Sequence, residues 1–412
     1  MLTLLTGCPD DSSSDQSAGK NDRQAEIERL RGLPYAGGVA GSENDTRTGV
    51  VTFDRHASCP GYNLYTIQHA ARADLIDEEG NVLRSWMGQP GGEWFDAELL
   101  DNGDLLAVGT DPHKGPRNGP GAADNERYLM RFDYDGNVLW KRHNNAHHAV
   151  TTTPDGHLLT LTLERTIVPS VSKEVPIRDD HLTLLDNEGH TAESFSLFRV
   201  LSRKPEMVHL HIGGSQWFGG GEWIDPLHAN SVQWIDRPDL AGKSPIYAPG
   251  NVLTCYRHQN MIAVIDFARR ELIWVWGKKR LSGPHDAQVL NSGNILIFDN
   301  GIDPTRQWSR VLEMDPRRGG IVWQYIAPNP RDFFTLGKGS AQRLTNGNTL
   351  IASSDQGWAF EVTPSKRIVW EFYCPYRTPD GERATIVRMR RYDRAWVDGI
   401  SRRHDHAPPQ KP

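Results

Sequence analysis

Three histidines could do chemistry together. His148 and His285 each stand eight residues ahead of a glycine (Gly156, Gly293) in a phrase that recurs along the chain, and His228 opens the matching stretch in a copy with an inserted loop before Gly250. Phe95 and Gly339 hold that place in the other two clear copies, ahead of Gly103 and Gly347. With 16 His in 412 residues, three hits among five copies arise by chance on the order of one time in a hundred, allowing for the choice of position. Converging imidazoles can ligate zinc or copper, serve as nucleophile and proton-transfer groups near neutral pH, or simply hydrogen-bond at strand ends. Arg257, at a turn after the apolar strand Val252-Leu253-Thr254-Cys255-Tyr256, tilts the choice, because a guanidinium favours an oxyanion over a metal cation. His147 beside His148 leaves the register open by one residue, which would turn the side chain to the other face. Asp286, next to His285, is read as facing away and serving as a scaffold acceptor.

The elements that must position these groups are short strands. The phrase pairs an apolar strand, a turn ending in Gly and a second apolar strand, followed later by an apolar run ending in Trp; Val138-Leu139-Trp140, Ile273-Trp274, Val322-Trp323 and Val369-Trp370 are such endings. A partial copy around Gly80 ends in Trp86. Six units of roughly 50 residues, each with about four strands, have the period of propeller blades. Asp-Gly and Asn-Gly supply the positive-φ residues of tight hairpins. The Trp of each third-strand phrase is expected to pack between neighbouring blades rather than to hold a cofactor. A stack of separate sandwiches would not repeat one phrase six times. The fold expected is all-β, a six-bladed β-propeller over residues 50–380 whose innermost strands start around one axial channel. The segments Glu164 to Pro176 and Arg199 to Trp223 are expected to overhang one face.

Composition excludes several partners. Lys+Arg 46 against Asp+Glu 52 gives a net charge of −6, so nothing suggests nucleic acid or an anionic membrane surface, which need a positive field. No apolar run of about 18 residues predicts a spanning helix. Leu4-Leu5-Thr6-Gly7-Cys8 is similar to a bacterial lipobox, and residues 1–8 read as a truncated signal/lipobox whose Cys8 could carry lipid. Residues 9–49 read as a short disordered tether, being Ser/Asp/Gln/Gly-rich without apolar periodicity. Cys59 and Cys374 could join the first and last repeats in an oxidising compartment, or stand with Cys255 as free buried thiols. Residues 381–412, with seven Arg from Arg383 to Arg403, read as a basic, solvated C-terminal extension, and His404-Asp405-His406 as a disordered tail rather than a metal site.

The stretch from His228-Ala-Asn-Ser-Val through Tyr256-Arg257-His258-Gln259-Asn260 to His285-Asp-Ala-Gln and Phe298-Asp-Asn-Gly301 resembles the bacterial aryl-sulfate sulfotransferases. The resemblance implies a six-bladed propeller that moves a sulfuryl group from a phenolic sulfate ester to a phenol, without a nucleotide donor or other cofactor, through a sulfated histidine. It implies His285 as the nucleophile, His228 and Arg257 as holders of the sulfuryl oxygens, and His148 as a further channel histidine assisting proton transfer. Trp94 and Phe95 are candidates to stack the phenolic ring at the channel mouth. The expected location is periplasmic or cell-surface, anchored through lipid on Cys8. The competing readings are a lipid-anchored binding propeller for a sulfated or anionic ligand and a His-metal hydrolase.

Overall fold

The computed structural model describes residues 45–112, 126–218, 221–303, 306–378 and 381–405; Cys8, most of the tether and His406 lie outside them. The described residues form a six-bladed β-propeller. Blades 2, 4 and 5 are four-stranded antiparallel sheets and blade 3 is six-stranded; the innermost strands of blades 2 to 5 are Glu93–Leu99, Ala146–Thr152, Ala229–Ile235 and Pro284–Val289. Blade 6 starts at Ser340–Arg343 and gains Gly49–Phe53 as a fifth, outermost strand against Ile368–Tyr373. In blade 3 the second and third strands, Leu158–Thr166 and Ile177–Leu185, are nine residues each, and a hairpin of Ser215–Phe218 and Gly221–Ile224 adds to their upper end through Ile177 and Ile224. Of the segments expected to overhang one face, this hairpin extends the blade, while Val200, Leu201 and Val208 bury in the core shared with blade 4.

Blade 1 is closed from the far end of the chain. Its innermost strand is Ile386–Tyr392, paired antiparallel with Tyr62–Ile67, so the segment beyond residue 380 is part of the ring and not a solvated extension. A run of arginines looked like solvated charge because the carboxylates that receive it are distant in sequence. Arg388 pairs with Asp96 at 2.6 Å, Arg390 with Asp286 at 3.0 Å, and buried Arg391 with buried Glu361. Ile386 and Met389 alternate with them and bury between blades. The chain then continues into a helix, Arg394–Asp405, in which His404 stacks on Tyr134 with ring centroids 4.7 Å apart and lies 2.9 Å from the Asn102 carbonyl. His404 is therefore ordered, contrary to the tail expected.

The core is divided among the blade interfaces. Each of the six larger apolar clusters is shared by two neighbouring blades, as where Leu159 and Leu161 of blade 3 meet Val252 and Ala263 of blade 4. Inner strands are buried on both faces, while Val82, Leu83, Val138 and Leu139 of the outermost strands stay exposed. The wedge tryptophans lie in the fourth strand rather than the third, in every blade but blade 3, whose fourth strand carries Phe195 instead. Their indole N–H groups donate to a turn of the next blade: Trp86 to Asp133 O (3.0 Å), Trp276 to Gly319 O (3.2 Å), Trp323 to Pro364 O (3.0 Å) and Trp370 to Glu78 O (2.8 Å). In blade 4 the wedge is Trp276, two residues beyond the expected Trp274. Cys59, Cys255 and Cys374 are all free and buried, the second of the two alternatives above. Replacing fully buried Trp370 with Ala is expected to cost about 3–5 kcal/mol. A urea midpoint within error of wild type would show that the wedge does not couple blade 6 to blade 1.

Candidate active site

The innermost strands start at one end of the axial channel, and each histidine enters through a local break in the ladder. The register shifts at this end in blade 2 between Trp94 and Asp96, in blade 4 between Ala229 and Ser231, and in blade 5 between His285 and Gln288; in blade 3 the partners jump from His147 to Val150. Such bulges bend a strand and re-aim a side chain. Non-glycine residues with left-handed backbone gather here: His148 (φ 62°), His228 (φ 51°), Asp286 (φ 47°) and Lys338 (φ 62°). Glycine takes the same role in blade 6 at Gly339 (φ 102°). Strained conformations of this kind persist only where surrounding contacts hold them, and they gather at functional sites.

Phe95, His148, Asn230, His285, Lys338 and Arg388 line one cavity at this mouth. His148, not His147, faces it. His147 is fully buried behind, 3.3 Å from Asp180, and its Nδ1 lies 2.7 Å from Nδ1 of His148. The His228 ring sits 5.2 Å from that of His148 and 4.6 Å from that of His258. Arg257, at the turn after the strand beside His228, donates its backbone N–H to His228 O at 3.1 Å and a guanidinium N–H to His258 at 3.2 Å. The structure thus brings His148, His228, Arg257 and His285 to the same end of the ring. Phe95 lines the cavity as expected, but Trp94 does not: it is fully buried in the core between blades 1 and 2 and donates to Tyr128 Oη at 2.9 Å. Asp286 accepts from Ala341 N (3.0 Å) as a scaffold group, yet the bulge also brings it to the cavity wall.

Several partners escaped the sequence reading. Asp225 receives His228 Nδ1 at 2.6 Å, as well as its backbone N–H at 3.1 Å. Burial would raise the Asp225 carboxyl, but His228 and Arg178 around it hold it below its ordinary value as a carboxylate. Asn300 lies 2.8 Å from Nδ1 of His285, and the Lys338 backbone N–H donates to its Nε2 at 3.1 Å. Asn260 anchors the approach by accepting from Gly283 N at 2.7 Å. Asn260 and Asn300 stood inside the quoted motifs, and Lys338 is one place before the repeat position of Gly339. Asp225 carried no signal beyond lying three residues before His228.

Among the described residues one cluster has metal-ligand types close together: donor atoms of Asp225, His228 and His258 lie within 4.8 Å of one another. His228 Nδ1 is turned to Asp225, His258 Nδ1 to the Asp225 backbone O (2.8 Å), and His258 Nε2 to Arg257. With Arg178 3.5 Å from Asp225 as well, a divalent cation would enter against two guanidiniums. The cluster fits a hydrogen-bonded relay better than a ligand set.

Residues 61–281, just over half of the chain, match the family model described as arylsulfotransferase (ASST). The chain belongs to the arylsulfotransferase family. The matched span contains His148, His228 and Arg257 and ends four residues before His285. No curated protein matches the sequence. Among solved structures, a protein of unknown function from Bacteroides caccae is similar in fold, with a TM-score of 0.50 at 12% identity, covering 80% of this chain and 98% of that one. A streptogramin B lyase gives 0.44 at 10% identity, covering 84% and 93% respectively. Membership supports a sulfotransferase-type activity on aryl sulfate donors and phenol acceptors in general.

The imidazoles are held neutral. Desolvation is the largest cause in each case: it lowers His148, His228 and His258, and with the Arg257 guanidinium it pushes His285 down to about 3. Between pH 6.5 and 3 the unfolded chain, with ordinary histidines, takes up protons that these sites refuse. Folding stability should therefore be full above about pH 6.5 and fall as pH drops below it. Denaturant midpoints at pH 7.5 and pH 5 test this. The fall should be smaller in His285→Asn, and an equal fall in both proteins would contradict it.

Proposed function

We propose that this arylsulfotransferase-family propeller transfers a sulfuryl group from a phenolic sulfate ester to a phenol by a ping-pong route, with His285 as the residue transiently sulfated and no nucleotide sulfate donor. The observation that carries this reading is a neutral, buried imidazole, His285, facing an axial cavity beside a guanidinium. Neutral imidazole has the lone pair a nucleophile needs, and Arg257 provides charge for the sulfuryl oxygens without a metal. The attack is in line: the N–S bond forms as the S–O bond to the aryl group breaks, and its electron pair leaves as phenolate. Arg257 and His228 stabilise charge spread over the three equatorial oxygens, as in phosphoryl transfer. The Asp225 carboxylate orients His228 and balances positive charge that gathers there.

A phenol then enters, loses its proton to a channel imidazole, His148, and takes the sulfuryl group while the electron pair of the N–S bond returns to His285. Phe95 supplies an aromatic face in the cavity against which the phenolic ring can lie. We further propose that the protein works outside the cytoplasm, tethered through lipid on Cys8, and that phenolic sulfate and phenol are its only reaction partners.

Incubation with nitrophenyl sulfate and no acceptor should release one equivalent of nitrophenolate and leave one sulfuryl adduct by intact mass, discharged on adding phenol. His285→Ala should give no adduct, and Arg257→Met should slow adduct formation on the order of 100-fold or more. Unchanged transfer by His285→Ala would refute the assignment.

A further inference from the structure

Asn300 directly follows the second strand of blade 5, Ile295–Asp299, and it is fully buried. Its side-chain nitrogen donates to two backbone carbonyls, Thr335 O at 3.0 Å and Lys338 O at 2.8 Å. Carbonyls only accept, so the amide cannot be turned around, and its oxygen must be the atom that faces His285. That oxygen lies 2.8 Å from Nδ1 of His285, and a second pure acceptor, Gly283 O, lies 3.1 Å from the same nitrogen. Two acceptors converging on one ring nitrogen require that nitrogen to carry the hydrogen. The other ring nitrogen, Nε2, accepts the backbone N–H of Lys338 at 3.1 Å at the cavity wall, so Nε2 carries the lone pair, and this hydrogen bond must give way when sulfur takes its place.

We infer that Asn300 is a positioning residue that locks His285 in the Nδ1–H tautomer, so that Nε2 is the nitrogen that bonds to sulfur. This rests on the sulfotransferase reading for its use and extends it by naming the nucleophilic atom and the residue that selects it. In a histidine side chain free in water the favoured neutral tautomer carries hydrogen on Nε2, which would leave no lone pair there. Here Asn300 and Gly283 reverse that preference. When Nε2 gives its lone pair to sulfur and the aryl oxygen departs with the electrons of the S–O bond, the ring becomes cationic, and its remaining N–H strengthens its bond to Asn300 as charge develops. The same amide holds the Thr335–Lys338 segment through both donated bonds, so one side chain sets the ring's orientation and the wall it faces. The charged and titratable groups around His285 are Arg257 from blade 4, Lys338 from blade 6, Arg388 from the closing strand of blade 1, His148 from blade 3 and Asp286 next in sequence.

The tautomer can be read without turnover, by 15N spectra of the full chain labelled at histidine, with the His285 signals assigned by their loss in His285→Ala. The expected result at pH 7.5 is a protonated Nδ1 and an unprotonated Nε2 on His285; the reverse pattern overturns the inference even if the enzyme is active. In rapid-mixing mass spectrometry, Asn300→Leu should form the sulfuryl adduct on the order of 100-fold more slowly, as for a misplaced reacting group. Asn300→Asp keeps an acceptor for Nδ1, so it should recover much of the rate at pH 8. Its carboxylate favours the imidazolium, so that variant should lose activity as pH falls toward 5, where wild type does not. Parallel pH profiles for Asn300→Asp and wild type would reduce Asn300 to a structural role. Absence of any adduct in wild type would instead sink the sulfotransferase reading and leave the tautomer result standing.

Discussion

The ring depends on one strand arriving from the wrong end of the chain. Ile386–Tyr392 lies between blades 6 and 2 and completes blade 1, and without it the first and last blades would present open apolar edges. The strand is held by polar reciprocity as much as by its apolar face. Gln342 of blade 6 gives and takes a backbone bond with Arg391, at 2.9 and 2.7 Å, and Ser340 accepts from Met389 N at 3.2 Å. Similar staples run around the axis: Asp96 accepts from Val150 N, Asp180 from Ala229 N, Asn230 donates to Pro284 O and Asp286 accepts from Ala341 N. Neighbouring blades are thus tied near the axis by side chains reaching backbone groups, from the first strand in blades 2, 4, 5 and 6 and from the third strand, at Asp180, in blade 3, which fixes height as well as spacing around the channel.

Closure also divides the channel. Arg388 reaches Asp96 (2.6 Å) and Asp286 (3.4 Å) from the closing strand, bridging blades 2 and 5 across the axis just below the histidines. On the other side of that bridge the channel walls carry Glu98, Thr151, Gln233, Gln288, Gln342 and Arg390, one from each blade. The same residues that lock the ring therefore give the histidine chamber a floor, and the chamber opens at one end. Keeping water and counter-charge from an imidazole holds it neutral below its ordinary pKa, so the floor bears on the chemistry as well as on the fold.

Periodic features were legible in the sequence. The hairpin glycines, the recurrence of the phrase and the histidines at one repeat position gave blades, channel and convergence, because each repeats a local physical requirement. What escaped was non-periodic or distant. The closing strand reads as basic charge because its partners Asp96, Asp286 and Glu361 are scattered over the chain. Trp94 looked like a channel aromatic because a bulge at Phe95 inverts the alternation that would have shown it to be core, and the same effect brings both His285 and Asp286 to the cavity wall. Asp225 and Lys338 belong to loops whose course no local pattern specifies. His404 looked disordered beside its prolines, although a Tyr ring and a carbonyl from blade 2 wait for it.

Protonated histidines would hold an anion well and attack nothing; neutral ones attack but bind anions weakly. The mouth of this ring separates the two tasks. In the proposed route cationic character falls to the guanidinium of Arg257, and nucleophilicity to His285, whose proton burial and that guanidinium both repel. The separation has a cost, since several buried imidazoles that refuse protons weaken the fold in acid, and the left-handed residues at His148, His228 and Asp286 add strain. A ring stapled from blade to blade can bear both, because no single interface carries the loss. A smaller β-sandwich with the same four groups on its loops would have neither the floor that excludes water nor the neighbours that over-determine the backbone at the mouth.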